Sequence, residues 1–139
     1  MNYYYAQHDH MIFDPQYSLQ DALEESLQRV DREIRDSGAD LDEIAIDFSI
    51  IMFSSDKLED DAWEDRIRST ADPDESEEEI EETIEFWMRQ SLDDRAGFLY
   101  ELGVTPDRMW EPEFYYSTDE NGDDVLCARI KPYKVCILI

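Results

Sequence analysis

Glycine is scarce in this chain, with four in 139 residues at positions 38, 97, 103 and 122. Unclustered glycines exclude a phosphate-cradling loop and a dinucleotide fingerprint, which need several close together so that backbone can approach phosphate. Cysteine is scarcer, only Cys127 and Cys136. Two cysteines make no disulfide framework, so a reducing cytoplasm is the expected setting. Both read as small core residues rather than nucleophiles, and a disulfide between them requires their strands to pair. Apolar runs such as Ile50-Ile51-Met52-Phe53 fall far short of the roughly 20 residues of a membrane helix. The opening Met1-Asn2-Tyr3-Tyr4-Tyr5 has neither the basic region nor the apolar stretch of a secretory signal, so none is expected.

Positive charge is the other shortage. Lysine and arginine number 12 against 37 acids, a formal net charge of −25. Direct contact with DNA, RNA or an anionic membrane is therefore disfavoured, because each demands positive surface. Any partner is expected to be basic. Hydrophobic residues still make up 42% and aromatics 12%, enough for a core, and the length suits a single domain over 1–139.

The charge is uneven. Residues 59–85 hold fourteen acids against Arg66 and Arg68, whereas the last fifteen residues hold no acid and three bases, Arg129, Lys131 and Lys134. Salt adaptation would spread acids over the whole surface, so this concentration argues against it.

Patterning predicts an α+β domain. Its mainly antiparallel sheet takes an N-terminal strand, a central strand over 43–53, a C-terminal hairpin and a final strand, packed with about four helices. The aromatic-rich segment 2–13 reads as the first strand and ends at Asp14-Pro15, a turn signal. Ser18 caps a helix that stops at Gly38 and carries the stripe Leu19, Leu23, Leu27, Val30 and Ile34. Over 43–53 alternate residues Ile44, Ile46, Phe48, Ile50 and Met52 share one face of a strand. Residues 55–70 have helical composition. Asp72-Pro73 predicts the start of a helix reaching about Gln90, with Ile80, Ile84, Trp87 and Met88 inward. Ser91 caps another helix, packing Leu92, Ala96, Leu99 and Leu102 and ending at Gly103, and Thr105-Pro106 begins a short helical turn. Asn121-Gly122 between residues 113–118 and 125–130 is a strong hairpin signal, and residues 133–139 form the last strand.

Few residues suggest chemistry. His8 and His10, two apart on one strand face, could offer two metal ligands, but no third is marked, and a plain strand pair is the favoured reading. The acidic turn at 119–124 fails as a calcium loop, because an EF-hand needs glycine at its sixth position and glutamate at its twelfth. Cysteine or serine paired with histidine has only His8 or His10 to use. Close carboxylate pairs are expected by chance among so many acids. No enzyme, cofactor or metal is predicted.

The helix over 73–90 is the most informative element. One side carries Glu75, Glu78, Glu82 and Glu85, flanked by Asp74, Glu79 and Glu81, with Arg89 the only base there. Like charges three and four residues apart cost roughly 0.2–0.5 kcal/mol per pair. An acidic face is commonly just solvated, but one of a single sign in so acidic a chain is strained by self-repulsion. Duplex DNA presents one negative charge per roughly 1.7 Å of axis. A helix rising about 1.5 Å per residue can set rows of carboxylates at comparable spacing. In size, charge and helical acid rows the chain resembles the small acidic phage and plasmid proteins that mimic DNA to disarm host defences, the anti-restriction and anti-CRISPR inhibitors. That resemblance implies a non-enzymatic inhibitor, acting in the host cytoplasm, that docks into the nucleic-acid groove of a basic defence protein or nuclease. The expected contacts are Glu75, Glu78, Glu79, Glu82 and Glu85, a second row of Asp60, Asp61, Glu64 and Asp65, and Phe86 as an aromatic anchor. The alternatives are an immunity or antitoxin protein neutralising one basic toxin, and an acidic structural adaptor, for instance a homodimer joined through 133–139.

Overall fold

A computed structural model describes residues 1–9 and 11–139. It is an α+β structure of two antiparallel sheets and five helices, four of them ten residues or longer. The first sheet has the order β2-β1-β3-β4, from β1 (Asn2–His8), β2 (Met11–Ile12), β3 (Phe48–Ser54) and β4 (Arg108–Trp110). The second has the order β5-β6-β7, from β5 (Glu113–Thr118), β6 (Asp124–Ile130) and β7 (Tyr133–Leu138).

Strand β3 is the centre of the molecule. Its register against β1 sets Tyr3 opposite Phe53 and Tyr5 opposite Ile51 on one face, and Ala6 opposite Ile50 on the other. Both faces are covered, which explains a run of consecutive apolar residues in place of polar alternation. On one side Tyr3, Tyr5, Ile51 and Phe53 join Leu58, Trp63, Ile67, Ala96 and Leu99 from the helices α3 (Asp60–Thr70) and α5 (Leu92–Glu101) and the 3-10 turn Ser55–Leu58 before them. On the other, Phe48 and Ile50 meet Leu23, Leu27 and Val30 of α1 (Leu19–Ser37), with Leu126 and Ala128 of β6. Helix α1 therefore fills the space between the sheets. It has the predicted limits: the Ser18 side chain accepts a hydrogen bond from the Asp21 N–H, and Gly38 closes the end at φ 69°.

Several expected boundaries move. The central strand begins at Phe48, not at residue 43, because Leu41–Ala45 forms a short helix, α2. Leu41 and Ile44 are buried at a three-residue spacing, and Ile46, expected inward, is 80% exposed. The first strand is broken at Asp9, whose φ is 48°. The predicted His8–His10 pair falls partly outside the described residues, because His10 is not among them. Helix α4 (Glu77–Met88) starts four residues later than Pro73 suggests, with Ser76 as its cap accepting from the Glu79 N–H. Asp72 and Glu75 instead close a turn through their backbones. After Thr105-Pro106 no helix forms; Arg108–Trp110 adds to the edge of the first sheet beside β3.

The hairpin forms as predicted, with Asp119 Oδ1 accepting from the Asn121 and Asp123 N–H groups. Its outer pairing puts Cys127 opposite Cys136, and the two are joined by a disulfide. Cys127 is fully buried, as a core cysteine should be, whereas Cys136 lies on the exposed strand β7. The reading of both as small core residues holds for Cys127 alone, and because their strands pair, the disulfide that the sequence left open is formed.

Arg95 is the feature that pattern reading missed. It is 4% exposed on α5, inside the inward stripe. Its Nε donates to the Trp87 carbonyl at 3.1 Å, and Nη1 to the Leu58 carbonyl and Asp60 Oδ1 at 2.8 and 2.9 Å. Nη2 donates to the Met88 carbonyl at 3.2 Å and reaches Met88 Sδ at 3.6 Å. The guanidinium thereby caps the end of α4, giving the Met88 carbonyl a donor and the Trp87 carbonyl a second one beside the Gln90 N–H. Arg95→Ala would leave the Leu58 and Met88 carbonyls short of a donor while the exposed Asp60 stays solvated, and is expected to cost about 1–3 kcal/mol, read as a lowered denaturation midpoint.

Asp107 ties the far end of β3. It accepts from the Ser54 N–H at 2.8 Å and pairs with Lys57 at 2.7 Å. Burial pushes its pKa up, but Lys57 and the Ser54 N–H outweigh that and hold it below the ordinary carboxylate range. Because the folded value is the lower one, the contribution is present above the unfolded pKa of about 3.9 and is lost as pH falls through the folded value. Asp107→Ala is expected to cost about 1 kcal/mol at neutral pH. The gap from the parent protein should close in acid, which paired urea titrations would show.

Candidate functional site: the acidic surface of α3 and α4

Helix α4 lies on the outside of the domain and has no fully buried residue. Ile84, Trp87 and Met88 pack their inner sides against the core beneath α3 and α5. An edge-to-face contact between Trp63 and Trp87, centroids 6.0 Å apart, joins α3 to α4. Ile80 is half-buried, and all six glutamates of α4 face solvent.

Local physics accounts for some of those acids. Glu77, Glu78 and Glu79 occupy the first turn, where the helix dipole favours negative charge. Asp60 and Asp61 do the same for α3. Glu81, Glu82 and Glu85 lie beyond that turn and gain nothing from it. The row Glu78, Glu82, Glu85 is spaced by four and three, so each neighbour repels the next. Glu75, expected as the first of this row, sits in the turn before the helix and stands apart from the repulsive ladder.

The predicted contact residues differ in how free their charge is. Arg68 Nη1 bonds Glu77 at 2.7 Å, and Nη2 lies 3.4 Å from Glu64, so one base bridges the two helices. Arg89 pairs with Glu85 at 2.9 Å. Asp60 serves the buried Arg95 with one oxygen while its side chain stays 76% exposed. Among the described residues, Glu75, Glu78, Glu79, Glu82, Asp61 and Asp65 take part in no ion pair, and each is exposed. Those six, with the likewise exposed and unpaired Glu81, carry the unneutralised field.

Phe86 is 56% exposed and stands edge-to-face against Trp87 at 5.3 Å. It rims a cleft between α4, α5 and the segment leading into α1, a concavity with no mark in the sequence, because its walls come from three distant stretches. His8 stacks on Phe48 at 4.2 Å, with Nδ1 3.7 Å from Glu33. His8 is thus a packed strand histidine. Among the described residues no group of three histidine, cysteine or carboxylate side chains gathers around a common point, and no helix is long and apolar enough to cross a membrane.

The chain matches no protein-family model, no curated protein and no solved structure. The functional reading therefore rests on this surface.

If the α4 row is held against its own repulsion, reversing its middle member should relieve the fold. Glu82→Lys converts two repulsive spacings into attractive ones, and is expected to stabilise the isolated protein by about 0.5 kcal/mol or more. The gain should shrink in high salt, where the repulsion is screened in the parent as well. Thermal melts of both proteins across a salt series would measure it.

Proposed function

We propose that this protein is a non-enzymatic acidic inhibitor that presents the carboxylates of α4 and α3 to the nucleic-acid-binding groove of a basic protein, in the manner of a DNA mimic. One observation carries the reading. An exposed helix bears six glutamates and no base along its length, and beyond the Arg68–Glu77 and Arg89–Glu85 pairs it keeps a repulsion that a cationic partner would relieve. A groove built to neutralise phosphates holds clustered lysine and arginine, and release of bound counterions on both sides favours the exchange. Glu78, Glu79 and Glu82 form the centre of the contact, with Asp61 and Asp65 beside them. Glu75, Glu85, Asp60 and Glu64 lie at its margin, partly committed to partners of their own or set off the helix.

The second reading, an immunity or antitoxin protein, is favoured by the concave aromatic cleft next to Phe86. Specific pairing with one toxin uses a shaped pocket, and a surface that merely imitates a phosphate row has no need of one. Both readings make the partner basic. Action in a host cytoplasm belongs to the proposal and stands against the Cys127–Cys136 disulfide. A homodimer through 133–139 would use β7, an edge strand paired on one side only.

The experiment is capture of partners from host lysate on immobilised protein, eluted first with duplex DNA and then with rising salt. A basic nucleic-acid-binding protein released by DNA is the expected result. The triple variant Glu78→Lys, Glu79→Lys, Glu82→Lys should capture none of it while retaining the parent's circular dichroism. Undiminished capture by that variant would overturn the assignment of the surface, and a single tight partner indifferent to DNA would move the protein to the immunity class.

A further inference from the structure

We infer that the cleft beside Phe86 is a receptor for an arginine side chain of the basic partner. The cleft is an open concavity of about 600 Å3, and its apolar walls include Phe13, Phe86, Trp87 and Phe98. Trp87 and Phe98 stack face to face at 4.2 Å, and Phe86 stands at right angles to Trp87. An aromatic ladder of this kind is ordinarily buried, yet here its last ring opens to solvent. The same cleft is lined by Asp14, Asp93, Asp94 and Glu101. Asp93 is engaged by the Tyr17 hydroxyl, and Asp94 by Ser91. Asp14 and Glu101 enter no ion pair or side-chain hydrogen bond among the described residues, so two carboxylates flank the rings with their charge unspent.

Charge and shape together name the occupant. Aromatic faces attract cations through the ring quadrupole, and more strongly when water is excluded. An ammonium would satisfy the charge alone, whereas a planar guanidinium can stack on a ring and fork to a carboxylate at the same time. The molecule already contains one such contact at this place: the Arg29 guanidinium carbon lies 4.2 Å from the centre of the Phe13 ring. Arg29 is held there by Glu25 at 3.0 Å, which leaves the Phe86 end of the cleft for a guanidinium from outside. A basic surface lying along α4 would bring its arginines directly over this opening, because Phe86 and Glu82 share that helix.

The inference rests on the partner being basic, and its test separates the two. The probe is a short glycine–arginine peptide, with a citrulline counterpart of equal shape and no charge, titrated into the 15N-labelled full chain. Shifts should centre on Phe86, Trp87, Gly97 and Phe98, with affinity about tenfold above that of the citrulline peptide. Phe86→Ala and Glu101→Gln should each weaken binding at least threefold while preserving the dispersion of the spectrum. Equal affinity for both peptides, or shifts confined to the outer row of α4, would overturn the inference. A partner displaced by DNA but captured equally well by Phe86→Ala would also overturn it, leaving the mimic reading intact. Peptide binding in the cleft without any DNA-displaced partner would support the receptor and remove the mimic reading.

Discussion

A single buried guanidinium ties together the elements that carry the acidic surface. Arg95 reaches from α5 to the last carbonyls of α4, to the end of the 3-10 turn and to the first residue of α3. Those elements follow one another along the chain but share only a modest apolar interface, since α4 buries no residue completely. A helix so rich in glutamate supplies little hydrophobic reason to stay attached. A cation beneath its C-terminal end supplies an electrostatic one, opposite in sign to the helix dipole there. Desolvating a charge is costly unless its hydrogen bonds are all made, and here each N–H of the guanidinium finds an acceptor. The arrangement lets the outer surface of α4 be acidic without loosening its seat.

What the sequence revealed and what it hid follow the range of the interactions involved. Helix α1 and the β5–β6 hairpin were legible because their signals are local: Ser18, Gly38 and Asn121-Gly122 act on the backbone within a few residues. The segment before β3 was not, since Leu41, Ile44, Ile46 and Phe48 satisfy a helical spacing and a strand alternation at once. Only packing against α1 decides between them. Pro73 misplaced the start of α4 because a proline after Asp72 suits a turn as well as a first helical position, and Ser76 offered a second cap four residues on. Arg95 left a faint signal, a base within the stripe Leu92, Ala96, Leu99, but its acceptors lie on other elements. The acidic residues themselves were readable as a surface; which of them are already paired was not.

That last distinction shapes the functional argument. A raw net charge invites the view that every carboxylate contributes equally to recognition. Arg68, Arg89 and Arg95 instead divide the acids of α3 and α4 into those that hold the domain together and those that remain available. The available Glu82 shares α4 with Phe86, which rims the aromatic cleft. A flat acidic stripe selects any polycation. On the proposed reading, a stripe with a socket at its end would also select by spacing, because an arginine would have to arrive at the cleft in register with a basic surface over the helix.

The bond between Cys127 and Cys136 has a mechanical consequence. β7 is the outer edge of its sheet, so it has neighbours on one side alone. A strand at an edge is open to slipping in register and to displacement by a competing strand. A covalent stitch midway along β7 pins Cys136 opposite Cys127, so a slip of even one residue would have to break a bond. The wall that β6 presents to α1 is thereby shielded from movement of the strand beside it.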